Sequence, residues 1–168
     1  MFAAHLRYGP SNNVAQWVSF ALEGQRYALP LDSVVRIVRA AEVTPLPLAP
    51  GVVAGALDVG GHVLPVFNLR HRLRLPERAL GLDDQFILAQ TTRRPVALMV
   101  DRALGLIESQ PAEGSLALAP HLRHVRGVLS QPDGLVLIHD LEGFLSAEED
   151  QALDSALRAA EAQCTATR

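Results

Sequence analysis

Short apolar segments alternate along the chain with turns that contain Gly, Pro or Asp. β-branched residues are frequent in these segments, which favours strands over helices. We predict strands within residues 17–22, 26–29, 31–38, 55–69, 86–92, 95–100, 101–108, 125–130 and 135–141, with a short helical turn at Asp32. Many short strands with only one clear helix are typical of a β-barrel or a sandwich.

The segment GALDVGGHVLPVFNL, residues 55–69, predicts a hairpin whose turn contains Gly60 and Gly61. Glycine adopts the positive φ that tight hairpin turns require, so either residue suits the turn. Pro65 has no backbone N–H, which indicates an edge strand or a bulge at its position. The preceding TPLPLAP segment, residues 44–50, contains three prolines and is predicted to be an extended connector.

The apolar residues in and after this connector leave two interpretations open. They are either part of the core or part of an exposed docking patch: Leu46, Leu48, Val52 and Val53. An exposed apolar patch would mark an interaction site, but the periodicity of the segment does not separate the two interpretations.

The C-terminal segment carries the clear helix pattern. Ser146 followed by Glu149 fits a capping box, in which each residue bonds to the backbone N–H of the other. Four apolar residues then recur at helical spacing and predict one face packed on the domain: Leu153, Ala156, Leu157 and Ala160. We therefore expect a flexible arm at residues 1–14, one domain at 15–145, and a C-terminal helix and tail at 146–168.

An internal repeat is the most informative pattern. A shift of 69 residues places 17–38 over 86–107 and aligns Asp32 with Asp101. A shift of 72 residues places 55–69 over 127–141 and aligns glycine with glycine at the start of each segment. Taken alone, this repeat predicts two similar five-stranded units, each closing its own edges as a small barrel.

Composition excludes several classes of protein. The chain has 168 residues, is 49% hydrophobic and has a net charge of −3, so it is predicted to fold and has no overall basic character. It contains no Lys and a single cysteine, Cys164, which excludes Schiff-base chemistry and an intramolecular disulfide. We find no signal peptide and no apolar run of membrane-spanning length, and expect a cytoplasmic protein without direct membrane insertion.

Few residues suggest a catalytic, metal-binding or ligand-binding site. Five basic residues between positions 70 and 78 form either a solvated short helix or a contact for an acidic partner: Arg70, His71, Arg72, Arg74 and Arg78. His121 and His124 have metal-ligand spacing, but no Asp, Glu or Cys lies within five residues of them, so we favour a surface loop. Asp32 and Asp101 are predicted to cap backbone N–H groups. No nucleophile or phosphate-loop motif is present, and we predict no enzyme activity and no cofactor.

The order of these segments resembles the CheW family of bacterial chemotaxis coupling proteins, from about Trp17 to Leu145. The resemblance rests on YALPLDSVVRIV, on TPLPLAP, on GALDVGGHVLPVFNLRHRL and on VALMVDRALGLIE. It implies a mainly β fold of two intertwined five-stranded SH3-like β-barrels with a C-terminal α-helix. It also implies a non-catalytic scaffold for signal transduction, whose partners are a chemoreceptor's cytoplasmic tip and the regulatory domain of a CheA-type histidine kinase.

The same resemblance predicts a set of partner-binding residues: Val34, Arg36, Ile37, Asp58, Gly60, Gly61, Leu64 and Arg70. Two of them depart from the family pattern, since the family's turn arginine is Gly60 here and an acidic position of its first interface strand is Arg36. These departures support an alternative hypothesis, an adaptor of the same fold with non-standard partners in a motility or other non-chemotaxis array. A less favoured hypothesis is a small-barrel protein that binds nucleic acid through its arginines, although no aromatic residues are interleaved for base stacking.

Overall fold

The computed structural model describes residues 14–109 and 124–166. The strands are β1 Gln16–Leu22, β2 Gln25–Pro30, β3 Val34–Arg39, β4 Val53–Val59, β5 His62–Phe67, β6 Gln85–Gln90, β7 Pro95–Val100, β8 Arg102–Glu108, β9 Val125–Gln131 and β10 Gly134–His139. The helices are α1 Leu69–Arg72 and α2 Ala147–Ala166, and a 3₁₀ turn at Leu31–Ser33 precedes β3. The mainly β fold class is confirmed, whereas residues 1–13 of the predicted arm lie outside the described ranges.

The strands form two five-stranded sheets, which we call barrel 1 and barrel 2. Barrel 1 has the order β8-β1-β2-β10-β9, and barrel 2 has the order β3-β6-β7-β5-β4. Each barrel therefore combines strands from both sequence repeats, and the two halves of the chain are intertwined. The expectation that each repeat closes its own barrel is wrong, because the third and fifth strands of each repeat pair with the other repeat's first and second strands.

The strand pairings of the two barrels correspond residue by residue. In barrel 2, Val66 of β5 pairs in parallel with Ala97 of β7. In barrel 1, the equivalent Ile138 of β10 pairs in parallel with Ala28 of β2. These four positions are related by the same shifts of 69 and 72 residues that the sequence shows. The internal repeat is thus a repeat of strand register as well as of sequence.

A shared apolar core runs through both barrels. Its fully buried members come from each barrel and from the C-terminal segment: Phe20, Leu22, Ile87, Leu98, Phe144 and Leu153. The rings of Phe67 and Phe144 stack with their centroids 4.3 Å apart, which joins barrel 2 to the residues before α2. The hydrophobic effect acts on this common core and also on a smaller apolar cluster within each barrel, one that includes Leu64 and Phe86 and one that includes Trp17 and Val136.

Helix α2 begins as the sequence predicts. The backbone N–H of Ser146 donates to Glu149 Oε2 over 2.9 Å, and the backbone N–H of Glu149 donates to Ser146 Oγ over 3.1 Å. Leu153 and Ala156 are buried, whereas Leu157 is half-buried. The capping box and the buried face of the helix are therefore both confirmed.

The structure shows which apolar residues in and after the connector belong to the core and which are exposed. Val52 and Val53 are buried in the core and Leu46 packs against it, whereas Leu48 is 89% exposed. Pro65 marks neither of the predicted features, because β5 lies between β7 and β4 and Pro65 pairs with Ala56, whereas the bulge in this pairing lies in β4 between Val53 and Gly55. Proline is tolerated there since the pairing of β5 with β7 begins one residue later.

One histidine makes the stability of this fold sensitive to acid. His139, the last residue of β10, is 1% exposed, and neither of its ring nitrogens has a hydrogen-bond partner in the described part of the chain. Burial, with a smaller contribution from His124, lowers the pKa of His139 from 6.5 to about 3. As the pH falls, His139 takes up a proton in the unfolded chain but remains neutral in the folded chain. This difference has no effect on stability above about pH 6.5, and it lowers the free energy of unfolding as the pH falls toward 3.

We expect His139→Leu to weaken the acid dependence of the free energy of unfolding. As the pH falls from about 6 to 4, His139 should lower the free energy of unfolding of the wild type by about 1 kcal/mol per pH unit. The variant should lack this contribution. Urea unfolding at a series of pH values measures both slopes. His62→Gln, at an exposed position, is the matched control, and identical slopes in wild type and His139→Leu would contradict the assignment.

Candidate functional site

Strand β3 presents apolar side chains to solvent at the edge of barrel 2. Of the predicted docking residues, Val34 is half-buried, Arg36 is exposed and Ile37 is 37% exposed. A bulge between Val34 and Arg36 removes Val35 from the pairing with β6 and leaves its side chain 66% exposed. Val35 is thus a member of this surface that the resemblance to the family did not single out. We call Val35, Arg36 and Ile37 the β3 face.

Arg36 is an exposed cation without an ion-pair partner among the residues that the structure describes. An edge strand has unpaired backbone groups on one side, and natural proteins often place charges and bulges there to prevent unwanted pairing. The β3 face has both features. It therefore combines apolar contact area with a charge that selects among partners.

The β4–β5 turn is a two-residue hairpin turn formed by Gly60 and Gly61. Their φ values of 60° and 89° fit a type I′ turn, and the backbone N–H of Gly61 donates to Asp58 Oδ1 over 2.8 Å. A side chain added at Gly60 would meet no atom within 4 Å. The strand register places this turn at the end of barrel 2 where β3 begins.

Two of the predicted partner-binding residues lie inside the protein. Leu64 is 6% exposed and packs in the core of barrel 2 with Val66 and Phe86. The side chain of Arg70 is 8% exposed and is paired within the chain. Their direct contact with a partner stays a prediction, while the structure assigns both to holding the barrel that presents the β3 face.

A network of charges that we call the arginine latch surrounds Arg70. Its guanidinium pairs with Glu23 in the β1–β2 turn, donates to Asp101 over 2.6 Å and donates to the carbonyl of Pro76 over 2.9 Å. Asp101 also accepts from the backbone N–H of Glu23 over 2.9 Å, which confirms its predicted capping role. Burial alone would lower the pKa of Arg70, but the hydrogen bonds to Glu23 and Asp101 outweigh it and raise the pKa. The latch thus ties a turn of barrel 1 to α1 beside barrel 2.

Arg78 extends the latch. It donates to both carboxylate oxygens of Asp84, over 2.7 and 2.8 Å, and to Asp101 over 2.9 Å. The hydrogen bonds from Arg78 hold the pKa of Asp84 below its ordinary value. Since Arg70 and Arg78 are neutralised here and Arg72 pairs with Glu149, most of the predicted basic stretch is not free to bind phosphates. The nucleic-acid hypothesis therefore loses the feature on which it rested.

Barrel 2 has a counterpart of the latch with different chemistry. The repeat relates Arg70 to Glu142 and Glu23 to Thr92. In the structure, Glu142 accepts hydrogen bonds from the backbone N–H and the hydroxyl of Thr92, over 3.0 and 2.8 Å. In each repeat, therefore, the residue three positions after the fifth strand contacts the turn between the first and second strands, and a carboxylate takes part in the contact.

Strand β8 repeats the apolar surface of β3 on barrel 1. Leu104 and Leu106, which the repeat relates to Val35 and Ile37, are 45% and 61% exposed. Gly105 stands where β3 has Arg36, so this second face lacks the central positive charge. The molecule thus presents two related apolar strand edges with different electrostatic character.

The described residues show no cluster suited to metal binding. No group of three or more His, Cys, Asp or Glu side chains converges between residues 14 and 109 or between 124 and 166. The predicted pair at His121 and His124 lies partly outside these ranges. Among the helices described, none is sufficiently long and apolar to span a bilayer.

Two interlocked barrels, a shared core and two exposed strand edges define a class of protein that acts through surface contacts. Comparison with known proteins identifies the family. A family model described as a CheW-like domain matches residues 16–149. The chain belongs to the CheW-like family, and the predicted class, a non-catalytic coupling scaffold of chemotaxis-type signalling, is confirmed.

Individual relatives are distant but cover most of the chain. The chemotaxis protein CheW of Treponema pallidum is 25% identical over 146 residues, which span 82% of this chain and 86% of the relative. Protein FrzA of Myxococcus xanthus is 28% identical over 113 residues, which span 64% of this chain and 71% of the relative. The crystal structure of the scaffolding protein TtCheW from Thermoanaerobacter tengcongensis matches with a TM-score of 0.71 at 20% identity, covering 81% of this chain and 95% of that one. This structural likeness confirms the fold.

We expect Arg70→Ala to destabilise the fold by about 3 kcal/mol, because it leaves the carboxylates of the latch without their buried partner. Urea denaturation of the variant measures the loss. Arg36→Ala removes the same charge from an exposed position and should change the free energy of unfolding by no more than about 0.5 kcal/mol. Equal effects of the two substitutions would show that the latch does not hold the barrels.

Proposed function

We propose that this protein couples a chemoreceptor-like coiled coil to the regulatory domain of a CheA-type histidine kinase in the cytoplasm. The observation that carries the proposal is the β3 face, an exposed apolar strand edge within a CheW-like fold. No catalytic step is required of such a scaffold. Its contribution is to hold two partners at a fixed separation on one rigid body.

The β3 face suits a partner barrel for two reasons. Val35 and Ile37 supply exposed apolar area, whose burial stabilises a complex. The free side of β3 also offers unpaired backbone groups to a strand of the partner, as in β-strand addition. A kinase regulatory domain of the same fold has strand edges that could pair in this way. The second face on β8 leaves a further surface for another partner.

We expect Val35→Asp combined with Ile37→Asp to weaken binding of the kinase regulatory domain by at least about tenfold, since two charges would be buried in the contact. Calorimetry with the regulatory domain from the same genome measures this. Leu48→Asp is the matched control, because Leu48 is also exposed but lies in the connector. Undiminished binding by the double variant, or an equal loss with Leu48→Asp, would contradict the assignment to β3.

Arg36 supports a second candidate function, an adaptor of the same fold for non-standard partners. This exposed cation stands where the family pattern has an acidic residue, and Gly60 stands where it has arginine. A partner that complements this surface would carry an acidic group opposite Arg36, whereas a standard partner would meet a like charge. The similarity to FrzA shows that relatives of this chain are not all named as CheW proteins.

Restoring the family pattern separates the two candidates. We expect Arg36→Glu with Gly60→Arg to improve binding of a conventional kinase regulatory domain by about tenfold if the native partner is non-standard. The arginine fits sterically at Gly60, although the positive φ there costs about 1 kcal/mol of fold stability. Weaker binding by the restored protein would instead favour a conventional partner. Calorimetry of both proteins with the same domain gives the comparison.

A further inference from the structure

A cleft of about 580 Å³ opens where α1 and the residues after it face barrel 1. Tyr27 of β2, Leu137 of β10 and His124 form part of one wall, and residues 71–75 form the other. The cleft includes no residue of the β3 face or of the β4–β5 turn. It is therefore a separate feature from the surfaces proposed for partner docking.

The lining of this cleft combines apolar walls with the cationic side chain of Arg74. The apolar walls are Val52, Leu73, Leu75, Val125 and Leu137. Arg74 and Tyr27 supply hydrogen-bond donors, and burial raises the pKa of Tyr27. His71 and His124 also line the cleft, but each uses its Nδ1 within the chain, on Glu77 and on the carbonyl of Gly143. The one carboxylate of the lining, Glu149, is already paired with Arg72 and accepts from the backbone N–H of Ser146. This composition suits a ligand with an apolar body and a negative charge.

Arg74 has a backbone conformation that glycine would adopt more easily. It follows α1 in a Schellman motif, in which the N–H of Leu75 donates to the carbonyl of Arg70 and the N–H of Arg74 donates to the carbonyl of His71. Its φ of 58° is in the left-handed region, which costs a residue with a side chain about 1 kcal/mol relative to glycine. The presence of arginine and not glycine at this strained position therefore suggests that its guanidinium has a function.

The guanidinium of Arg74 is available for a ligand. Arg74 is exposed and forms no ion pair with the residues that the structure describes, unlike its neighbours Arg70, Arg72 and Arg78. It lines the cleft beside the apolar side chains of Leu73 and Leu75. A carboxylate placed there would meet a free cation at the edge of an apolar surface, where a charge-assisted hydrogen bond is stronger than in open water.

We propose that this cleft binds a small organic anion with an apolar body, and that Arg74 pairs with its charge. The chemical class is an alkyl or aryl carboxylate of about eight carbon atoms, which the cleft volume accommodates. The site does not depend on the coupling function proposed above. A ligand there would contact both α1 and strands of barrel 1, so its binding would also stabilise the junction of the two barrels.

Calorimetry with octanoate, octanol and octylammonium tests the proposal, since the three probes share an alkyl chain and differ in charge. We expect octanoate to bind the full chain with one-to-one stoichiometry and at least about tenfold more tightly than the other two. No saturable binding of octanoate, or equal binding of the three probes, would overturn the proposal.

The variant Arg74→Gly tests whether Arg74 holds the anion. It also distinguishes a loss of the binding site from a loss of folding. The variant should unfold at a higher urea concentration than the wild type because it removes backbone strain, and yet bind octanoate about tenfold more weakly. Arg158→Ala, which removes a charge from the exposed face of α2, is the matched control and should bind as the wild type does. Unchanged octanoate affinity in Arg74→Gly, or an equal loss in Arg158→Ala, would show that Arg74 does not hold the anion.

Discussion

The parallel pairing of β2 with β10 and of β5 with β7 is the constraint on which the rest of this structure depends. Each pairing joins strands from different halves of the chain, at Ala28 with Ile138 and at Val66 with Ala97. Because of these contacts, neither repeat forms a barrel by itself, and the largest apolar cluster takes residues from both barrels. The strand exchange thus joins the two barrels through backbone hydrogen bonds, which suits the proposed role of holding two partners at a fixed separation.

The arginine latch adds a polar contact to this apolar framework. Arg70 connects the β1–β2 turn to α1 through Glu23, while Asp101 contacts both. A buried ion pair contributes little net stability compared with apolar packing, but removal of one partner is costly. Its main effect is therefore to fix one relative placement of the two elements. The surfaces on β3 and β8 are presented on a framework whose geometry is specified in this way.

Local features of this fold were predictable from the sequence, and long-range ones were not. The β4–β5 turn follows from adjacent glycines and the start of α2 from a capping box, since both depend on residues a few positions apart. The repeat predicted two equivalent units but not the exchange of strands between them, because the sequence shift is identical in either arrangement. Only the resemblance to the CheW family indicated that the barrels are intertwined.

In the candidate site, too, contacts between residues distant in sequence could not be predicted. Arg70 belongs to a run of basic residues that suggests a solvated surface, whereas its partners Glu23 and Asp101 are distant in sequence and could not be assigned to it. The sequence indicated part of the role of Asp101, since the repeat aligns it with Asp32 and both were predicted to cap backbone N–H groups. Val35 was missed because its exposure results from a bulge, and a bulge alters the alternation of buried and exposed positions without a signature in the sequence.

We propose that this intertwined two-barrel scaffold binds a kinase regulatory domain through the edge of barrel 2. Hydrogen–deuterium exchange of the full chain, with and without that domain, tests this most directly. We expect slower exchange of backbone amides in β3 and in the β4–β5 turn when the domain is bound, with the exchange of the core strands β6 and β7 unchanged. Protection confined to β9 and β10, or none at β3, would contradict it.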